Sequence, residues 1–352
     1  MIPAIGYAAA GPRSALGPMR FARRSPGPQD VAIQILYCGV CHSDLHQVRD
    51  DWGNTIYPCV PGHEIVGRAL GVGEQVTKFH TGDLVGVGCL VDSCRECEAC
   101  RQGLEQYCEG PLGPLFTYNG PGTPNGNNTF GGYSNVVVVS QRFVLRLPES
   151  LDPARAAPIL CAGVTTYSPM RHWNVSRGQK VGVVGLGGLG HMAVKIGKAL
   201  GARVHVFTTS RDKRGAAAAL GADGFILSTD HAAMAAQALS FDFILSTIPV
   251  NHDVNPYLGC VRRDGIFTLV GTLEQLDPGI DNNEMAFHRR SFAGSLIGGL
   301  AETQEVLDFC ATHGIQPEVE MIRIDQINEA FERLKAGDVR FRHVIDMATL
   351  GF

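Results

Sequence analysis

The sequence predicts an α/β chain in which a β-rich domain is interrupted by a doubly wound domain built on a parallel sheet. Three observations carry this. Glycine and proline punctuate β-branched runs up to about residue 132, strands and helices alternate from residue 152 to near 290, and the remaining tail returns to mixed character. Alternating βα units imply a parallel sheet with helices on both faces. The expected divisions are 1–153 and 289–352 for the β-rich domain and 154–288 for the inserted one.

The elements follow in order. "DVAIQILYCGV", "GDLVGVG" and "NVVVVS" read as strands because they are rich in β-branched residues and bounded by turn formers. Residues 110–132 have no apolar period and read as a long loop. Phe116 and Tyr118 within it either pin the loop down or stand near a substrate. "LDPARAAPILCAGVTTYSPM" opens as a helix start and continues as a buried helix. "KVGVVG", "RVHVFTT", "DGFILS", "FDFILSTI" and "GIFTLVG" are the parallel strands, with "LGHMAVKIGKALG" and "KRGAAAALG" as helices between them. "ETQEVLDFCATHG" is a helix of the tail and "RHVIDM" a closing strand.

Bulk properties exclude several roles. The 352 residues suit about two domains, and a net charge of −4 without a basic block argues against nucleic acid as a partner. Apolar stretches fall short of the ~20 residues that span a bilayer, so no membrane partner is expected. The N-terminus lacks the cationic and apolar regions of a secretory signal, so a cytoplasmic location is expected. Eleven cysteines in a reducing compartment then suggest metal rather than disulfides.

Cys94, Cys97, Cys100 and Cys108 form a tight run within an expected lobe over 90–110. Four thiolates bind zinc in a closed, structural site. Iron–sulfur centres use similar spacings, but no proline follows the last cysteine in the ferredoxin manner.

Gly185, Gly187 and Gly190 stand between a strand and a helix in a G-x-G-x-x-G pattern, with Leu186, Gly188 and Leu189 completing the turn. Gly185 permits the bend, Gly187 lets a pyrophosphate approach the helix N-terminus, and Gly190 lets the helix lie close on the sheet. A plain βα turn is the bland alternative. After the second strand an NAD site would carry a carboxylate for the ribose. Here Thr208, Thr209, Ser210, Arg211 and Lys213 surround a later Asp212. Hydroxyls and cations suit a 2′-phosphate, which predicts NADP(H).

Cys41, His63 and Cys161 are far apart in sequence. Two thiolates and an imidazole leave one coordination position open, as a catalytic zinc requires. Glu64 adjoins His63 and could bind when that position is empty.

With "GVCHSDLH", "YPCVPGHEIVG", "GGYS", "ILCAGVTTYSP", "GLGGLGHMAVK" and "GSLIGG" on the page, the chain resembles the zinc-dependent medium-chain alcohol dehydrogenases over essentially its whole length. Within them it resembles the cinnamyl alcohol dehydrogenase branch and its broad-range bacterial NADPH-dependent aldehyde reductases. The resemblance implies a GroES-like catalytic domain, a Rossmann domain, one catalytic and one structural zinc per chain, and a homodimer. It implies that Ser43 passes the substrate proton and His46 relays it, with Asp44 fixing the tautomer of His63. His42 and Ser43 are implied beside the coenzyme, and Thr247, Gly271, Ser295, Leu296 and Ile297 along its nicotinamide half. Trp52 is expected either in the substrate pocket or in the core. An NAD-linked polyol dehydrogenase and a non-catalytic zinc- and dinucleotide-binding protein are the competing readings.

Overall fold

The computed structural model describes residues 1–120, 128–271, 274–339 and 341–351. Part of the loop expected over 110–132 therefore lies outside the described residues. In chain order, the first elements are β1 (Ile2–Ala8), β2 (Gly17–Arg23), β3 (Asp30–Gly39), α1 (His42–Arg49), β4 (Ile65–Val72), β5 (Leu84–Val87) and β6 (Leu90–Asp92). There follow α2 (Glu98–Arg101), β7 (Leu115–Phe116), β8 (Val136–Ser140), β9 (Leu145–Arg146), α3 (Pro153–Ala156) and α4 (Ala162–His172). The alternating part comprises β10 (Lys180–Val184), α5 (Gly188–Ala199), β11 (Arg203–Thr208), α6 (Lys213–Ala219), β12 (Gly224–Leu227), α7 (His231–Ala235) and β13 (Phe241–Ser246). It continues through α8 (Asn255–Leu258), β14 (Val261–Leu269), α9 (Asn282–Ala286) and β15 (Ser291–Gly294). The tail adds α10 (Leu300–His313), β16 (Val319–Arg323), α11 (Ile327–Lys335) and β17 (Arg342–Asp346).

Two compact units result, Met1–Cys161 with Gly298–Phe352, and Ala162–Ile297. The chain changes unit at 161/162 and 297/298, eight and nine residues after the expected 153/154 and 288/289. The reason is local: α3 and the 3₁₀ turn after it pack with β3, β4 and β17 of the first unit, so the chain changes unit only at Cys161.

The first unit is organised on a sheet of order β16-β17-β3-β4-β5-β9, with β8 also paired to β3. β3 is its centre. It pairs antiparallel with β4 along its length, with β8 at Asp30–Gln34 and with β17 at Tyr37–Gly39. Its apolar residues Val31, Ile33 and Ile35 are buried, and each full burial is worth about 1.5–3 kcal/mol.

The second unit is one six-stranded parallel sheet of order β12-β11-β10-β13-β14-β15. This is the doubly wound dinucleotide-binding order, with its reversal between β10 and β13. Its central strands β10 and β13 are buried on both faces, which is why "KVGVV" and "FDFILS" read as continuous apolar runs rather than alternations. Phe207, Phe241, Phe243 and Phe267 fill the core with little or no exposure.

Candidate active site

β3 delivers Cys41 and α1 to one end of the first sheet. Cys41 is the N-cap of α1, and Asp44 reaches back to accept from the Cys41 backbone N–H at 2.8 Å. The helix is short and polar. Burial of Leu45 and Val48, not intrinsic propensity, holds it down. Asp44 is fully buried and accepts from three further donors. These are the Gly62 N–H at 2.8 Å, the His63 Nδ1 at 3.0 Å and the Tyr133 hydroxyl at 3.3 Å. By accepting a hydrogen bond from Nδ1–H it leaves the Nε2 lone pair of His63 free for a metal.

Cys41, His63, Glu64 and Cys161 are all buried, and one donor atom from each lies within 4.8 Å of the others. Two sulfurs, an imidazole nitrogen and a carboxylate oxygen are a donor set that fits zinc. Glu64 adds to the fit: among the described residues neither of its buried oxygens accepts a hydrogen bond, and its one close partner is the Arg342 guanidinium, Nη2 to Oε1 at 3.1 Å. The Cys161 thiol donates to Cys41 and, with the nearby Arg342 guanidinium and His63 imidazole, holds Cys41 well below the ordinary thiol range despite its burial. Burial raises Glu64 to about 7, against the pull of Arg342.

Ser43 and His46 follow on α1. The Ser43 Oγ lies 3.7 Å from the Cys41 sulfur, and His46 Nδ1 pairs with Asp51 Oδ2 at 2.8 Å. His42 is half-buried, and burial lowers its imidazole below the ordinary value. The Trp52 ring centroid is 5.7 Å from that of His46, and Trp52 is 38% exposed. The core alternative for Trp52 is thus corrected: the chain turns outward after α1. Tyr118 is buried with its ring 5.4 Å from the His63 imidazole, whereas Phe116 is exposed.

The glycine turn sits at the reversal of the second sheet. Gly185 follows β10 with φ +90°, a conformation that favours glycine. A β-carbon on Gly190 would meet Gly185 O at 2.1 Å, so α5 lies against the strand end as closely as the backbone allows. A β-carbon on Gly187, the N-cap of α5, would meet nothing within 4 Å. Thr247 closes the neighbouring strand end, its Oγ1 donating to Val184 O at 2.8 Å. Gly271 packs on Ile248, where a β-carbon would come 2.2 Å from the carbonyl oxygen. Ser295 N–H donates to Leu269 O at 3.0 Å, and Ile297 has φ +39°. Thr208, Thr209, Ser210 and Arg211 leave β11 together. Thr209 and Arg211 are exposed, with Ser210 and Lys213 half-buried at the start of α6.

Residues 27–149 match the alcohol dehydrogenase GroES-like domain family, and residues 188–312 the zinc-binding dehydrogenase family. Aldehyde reductase YahK of Escherichia coli is 55% identical over 351 residues, 99% of either chain. The chain belongs to the zinc-type medium-chain alcohol dehydrogenases. NADP-dependent alcohol dehydrogenase C 1 of Mycolicibacterium smegmatis is 50% identical over 98% of each chain. The cinnamyl alcohol dehydrogenase SbCAD4 of Sorghum bicolor superposes with a TM-score of 0.95 at 46% identity over 98% of both chains. The Helicobacter pylori cinnamyl alcohol dehydrogenase solved with NADP(H) gives 0.90 at 39% over 99% of both.

A second donor set is present in this zinc-type dehydrogenase: Cys94, Cys97, Cys100 and Cys108 bring their sulfurs within 4.8 Å of one another. Backbone N–H groups aim at these sulfurs. Glu96 and Cys97 donate to Cys94 at 3.5 and 3.3 Å, Glu109 to Cys97 at 3.4 Å and Gly110 to Cys108 at 3.4 Å. The two amides lower Cys94 to about 6, so it is poised as the thiolate a metal needs. Of the other cysteines, Cys38, Cys59, Cys260 and Cys310 are buried, while Cys89 is half-exposed and interacts with Cys161.

Three residues of this dehydrogenase site escape the sequence reading: Asp51, Cys89 and Arg342. Only Asp51 carried a local signal, a carboxylate close behind a candidate relay histidine.

Proposed function

We propose that the chain is an NADPH-linked aldehyde reductase that runs reversibly as an alcohol dehydrogenase, with zinc at Cys41, His63 and Cys161. The buried cluster of those three donors with Glu64 carries the reading, because such a set leaves room for a substrate oxygen. It is supported by the printed activities of the E. coli and mycobacterial relatives and by the coenzyme named for the H. pylori structure. A second zinc at Cys94, Cys97, Cys100 and Cys108 is structural.

When bound, zinc supplies a Lewis acid for the aldehyde oxygen. The chain's own residues do the rest. Ser43 holds a proton for the forming alkoxide. His46 refills it, oriented by Asp51, and Asp44 keeps His63 in the metal-binding tautomer. The Gly185–Gly190 turn receives the pyrophosphate on the N-terminus of α5, and His42 is assigned to the coenzyme by the family resemblance. Thr208, Thr209, Ser210, Arg211 and Lys213 take the 2′-phosphate, and Thr247, Gly271, Ser295, Leu296 and Ile297 line the nicotinamide half. The enzyme works in the cytoplasm as a homodimer. No helix among the described residues is long and apolar enough to cross a membrane.

The test is the loss of NADPH absorbance with benzaldehyde-like and short aliphatic aldehydes, before and after chelation, with NADH alongside. Turnover that survives removal of all metal would reject the reading. Arg211→Ala is expected to raise KM for NADPH far more than for NADH; equal effects would reject the phosphate assignment.

A further inference from the structure

The loop between the third and fourth cysteines of the lobe meets the start of α10. A 3₁₀ turn, Glu105–Tyr107, lies there, and Glu105 Oε2 accepts the Leu300 N–H at 3.0 Å. Leu300 is the first residue of α10, and the N-cap before it, Gly299, has no side chain to offer. A helix leaves its first N–H groups unpaired and carries partial positive charge at that end, so a carboxylate suits the place on both counts. The fit is close. A β-carbon on Gly299 would fall 1.8 Å from Gly103 O and 2.8 Å from Glu105 Oε2. Gly299 has φ −71°, so contact rather than conformation calls for glycine. The body of α10 is held separately: the Gln304 side chain accepts from the Arg146 N–H at 2.9 Å and donates to Arg146 O at 3.0 Å.

Ser295, Leu296 and Ile297, assigned above to the nicotinamide half, lead directly into that cap. The chain passes there from the parallel-sheet unit, which ends at Ile297, to the other, which resumes at Gly298. The upstream end of this strap is tied to β14, where the Ser295 N–H donates to Leu269 O at 3.0 Å. The downstream end is tied to the cysteine lobe, 195 residues away in sequence. Between the two ties Ile297 takes φ +39°, an outlying conformation for a β-branched residue. Such a backbone persists only where its surroundings over-determine it, and a short strap fastened at both ends is over-determined.

We propose that Glu105 is a positioning residue for the coenzyme: by capping α10 it fastens the Ser295–Ile297 strap, and so couples the metal of the cysteine lobe to NADPH binding. The inference rests on the zinc and coenzyme readings above. Glu105 lies between Cys100 and Cys108, and α2 of the same lobe buries none of its residues, so bonds to sulfur rather than packing set its shape. A lobe gripped at its four sulfurs presents the carboxylate at a fixed point, and a lobe without metal does not. Coupling of this kind is reciprocal. Whatever the lobe metal adds to coenzyme affinity, bound coenzyme returns to the lobe's hold on its metal. Glu105 touches neither substrate nor coenzyme in this role.

The experiment uses cadmium in place of zinc, because its nuclear resonance separates a four-sulfur site from one with two sulfurs and a nitrogen. Glu105→Ala and Glu105→Gln are compared with the wild type and with Glu98→Gln, which changes an exposed acid of α2 that faces no helix end. NADPH affinity is read from coenzyme fluorescence, and loss of the lobe ion to chelator from its resonance, with and without NADPH. Glu105→Ala is expected to keep the four-sulfur resonance and to raise Kd for NADPH about 3–10-fold, within what one lost helix cap supplies. Its kcat at saturating coenzyme should change little. Glu105→Gln keeps an accepting oxygen and should fall between, and Glu98→Gln should match the wild type. NADPH should slow loss of the lobe ion from the wild type by a comparable factor, and from Glu105→Ala it should not. If Glu105→Ala does not fold, the protection in the wild type decides alone. Unchanged affinity in Glu105→Ala, an equal loss in Glu98→Gln, or a lobe ion that leaves the wild type at one rate with and without NADPH overturns the coupling and leaves the earlier readings standing. A wild type that does not bind NADPH, or shows no four-sulfur resonance, overturns the reading beneath it as well.

Discussion

Asp44 satisfies four donors with two oxygens: the Cys41 and Gly62 amides, His63 Nδ1 and the Tyr133 hydroxyl. Asparagine keeps the shape but has one accepting oxygen, and its NH₂ must face two of those donors. Asp44→Asn should weaken metal binding by ~10–100-fold in chelator competition, since the histidine loses its orienting partner. Retained affinity would mean that His63 is fixed by packing instead. His46 and Asp51 give a second case. Asp50 ends α1 with φ +61°, and the chain doubles back so that Asp51 reaches His46. His46→Ala is expected to lower kcat and change its pH profile, and Asp51→Asn to move both the same way by less. Unchanged profiles would remove the pair from the relay. The thiols and imidazoles of the site were legible in the sequence because few other roles need them at such density. Arg342 was not, since its partners lie at the opposite end of the chain and nothing local marks the pairing.

At the scale of elements, legibility followed burial. The central strands of the second unit, β10 and β13, are buried along nearly their whole length and print apolar runs in the sequence, whereas the edge strand β15, "SFAG", is partly exposed and prints none. α1 has no such print: "HSDLHQVR" is polar, and the helix exists because Cys41 and Asp44 cap it and Leu45 and Val48 are buried. α11 is a different failure. Ile327, Ala330, Phe331 and Leu334 are spaced for one buried helix face, and reading the tail as mixed passes over them. The cysteine lobe shows the opposite limit. α2 buries none of its residues, so metal and amide–sulfur bonds must hold what packing does not. Chelation should therefore speed amide hydrogen exchange across residues 92–110 well before β3 and β4 respond, because metal affinity there is folding energy. Protection in the lobe that outlasts the metal would show a fold that stands without it.

On the scale of the whole molecule, both metal clusters belong to the unit of Met1–Cys161 and Gly298–Phe352, and the parallel-sheet unit has neither. Acid should act on the two differently. Burial, then the Lys180 charge, lowers His205 in the parallel-sheet unit below its ordinary 6.5. Burial likewise lowers His343 in the other, only partly opposed by Glu320. A histidine whose folded value is depressed binds fewer protons folded than unfolded. Its stability contribution is complete above about 6.5 and drains away as pH falls toward the folded value. Asp30, Asp223 and Glu320 are also held low. Burial raises Asp30 and Asp223, but Arg24 and Lys198 outweigh it, while Arg333 leads at Glu320. Their contribution is complete above the ordinary 3.8–4.5 and is lost only below it. Tm of the parallel-sheet unit should thus be level from pH 8 to 7, decline once pH passes below about 6.5, and fall again below about 4. Protonation of metal ligands adds to the first decline in the metal-bearing unit alone, so the parallel-sheet unit gives the clean reading. Calorimetry of the chelated chain should lower the transition of the metal-bearing unit and leave the other in place, and His205→Gln should flatten the pH dependence of the one left. A parallel-sheet transition that ignores pH between 7 and 5 in the unsubstituted chain would show that His205 titrates alike in both states.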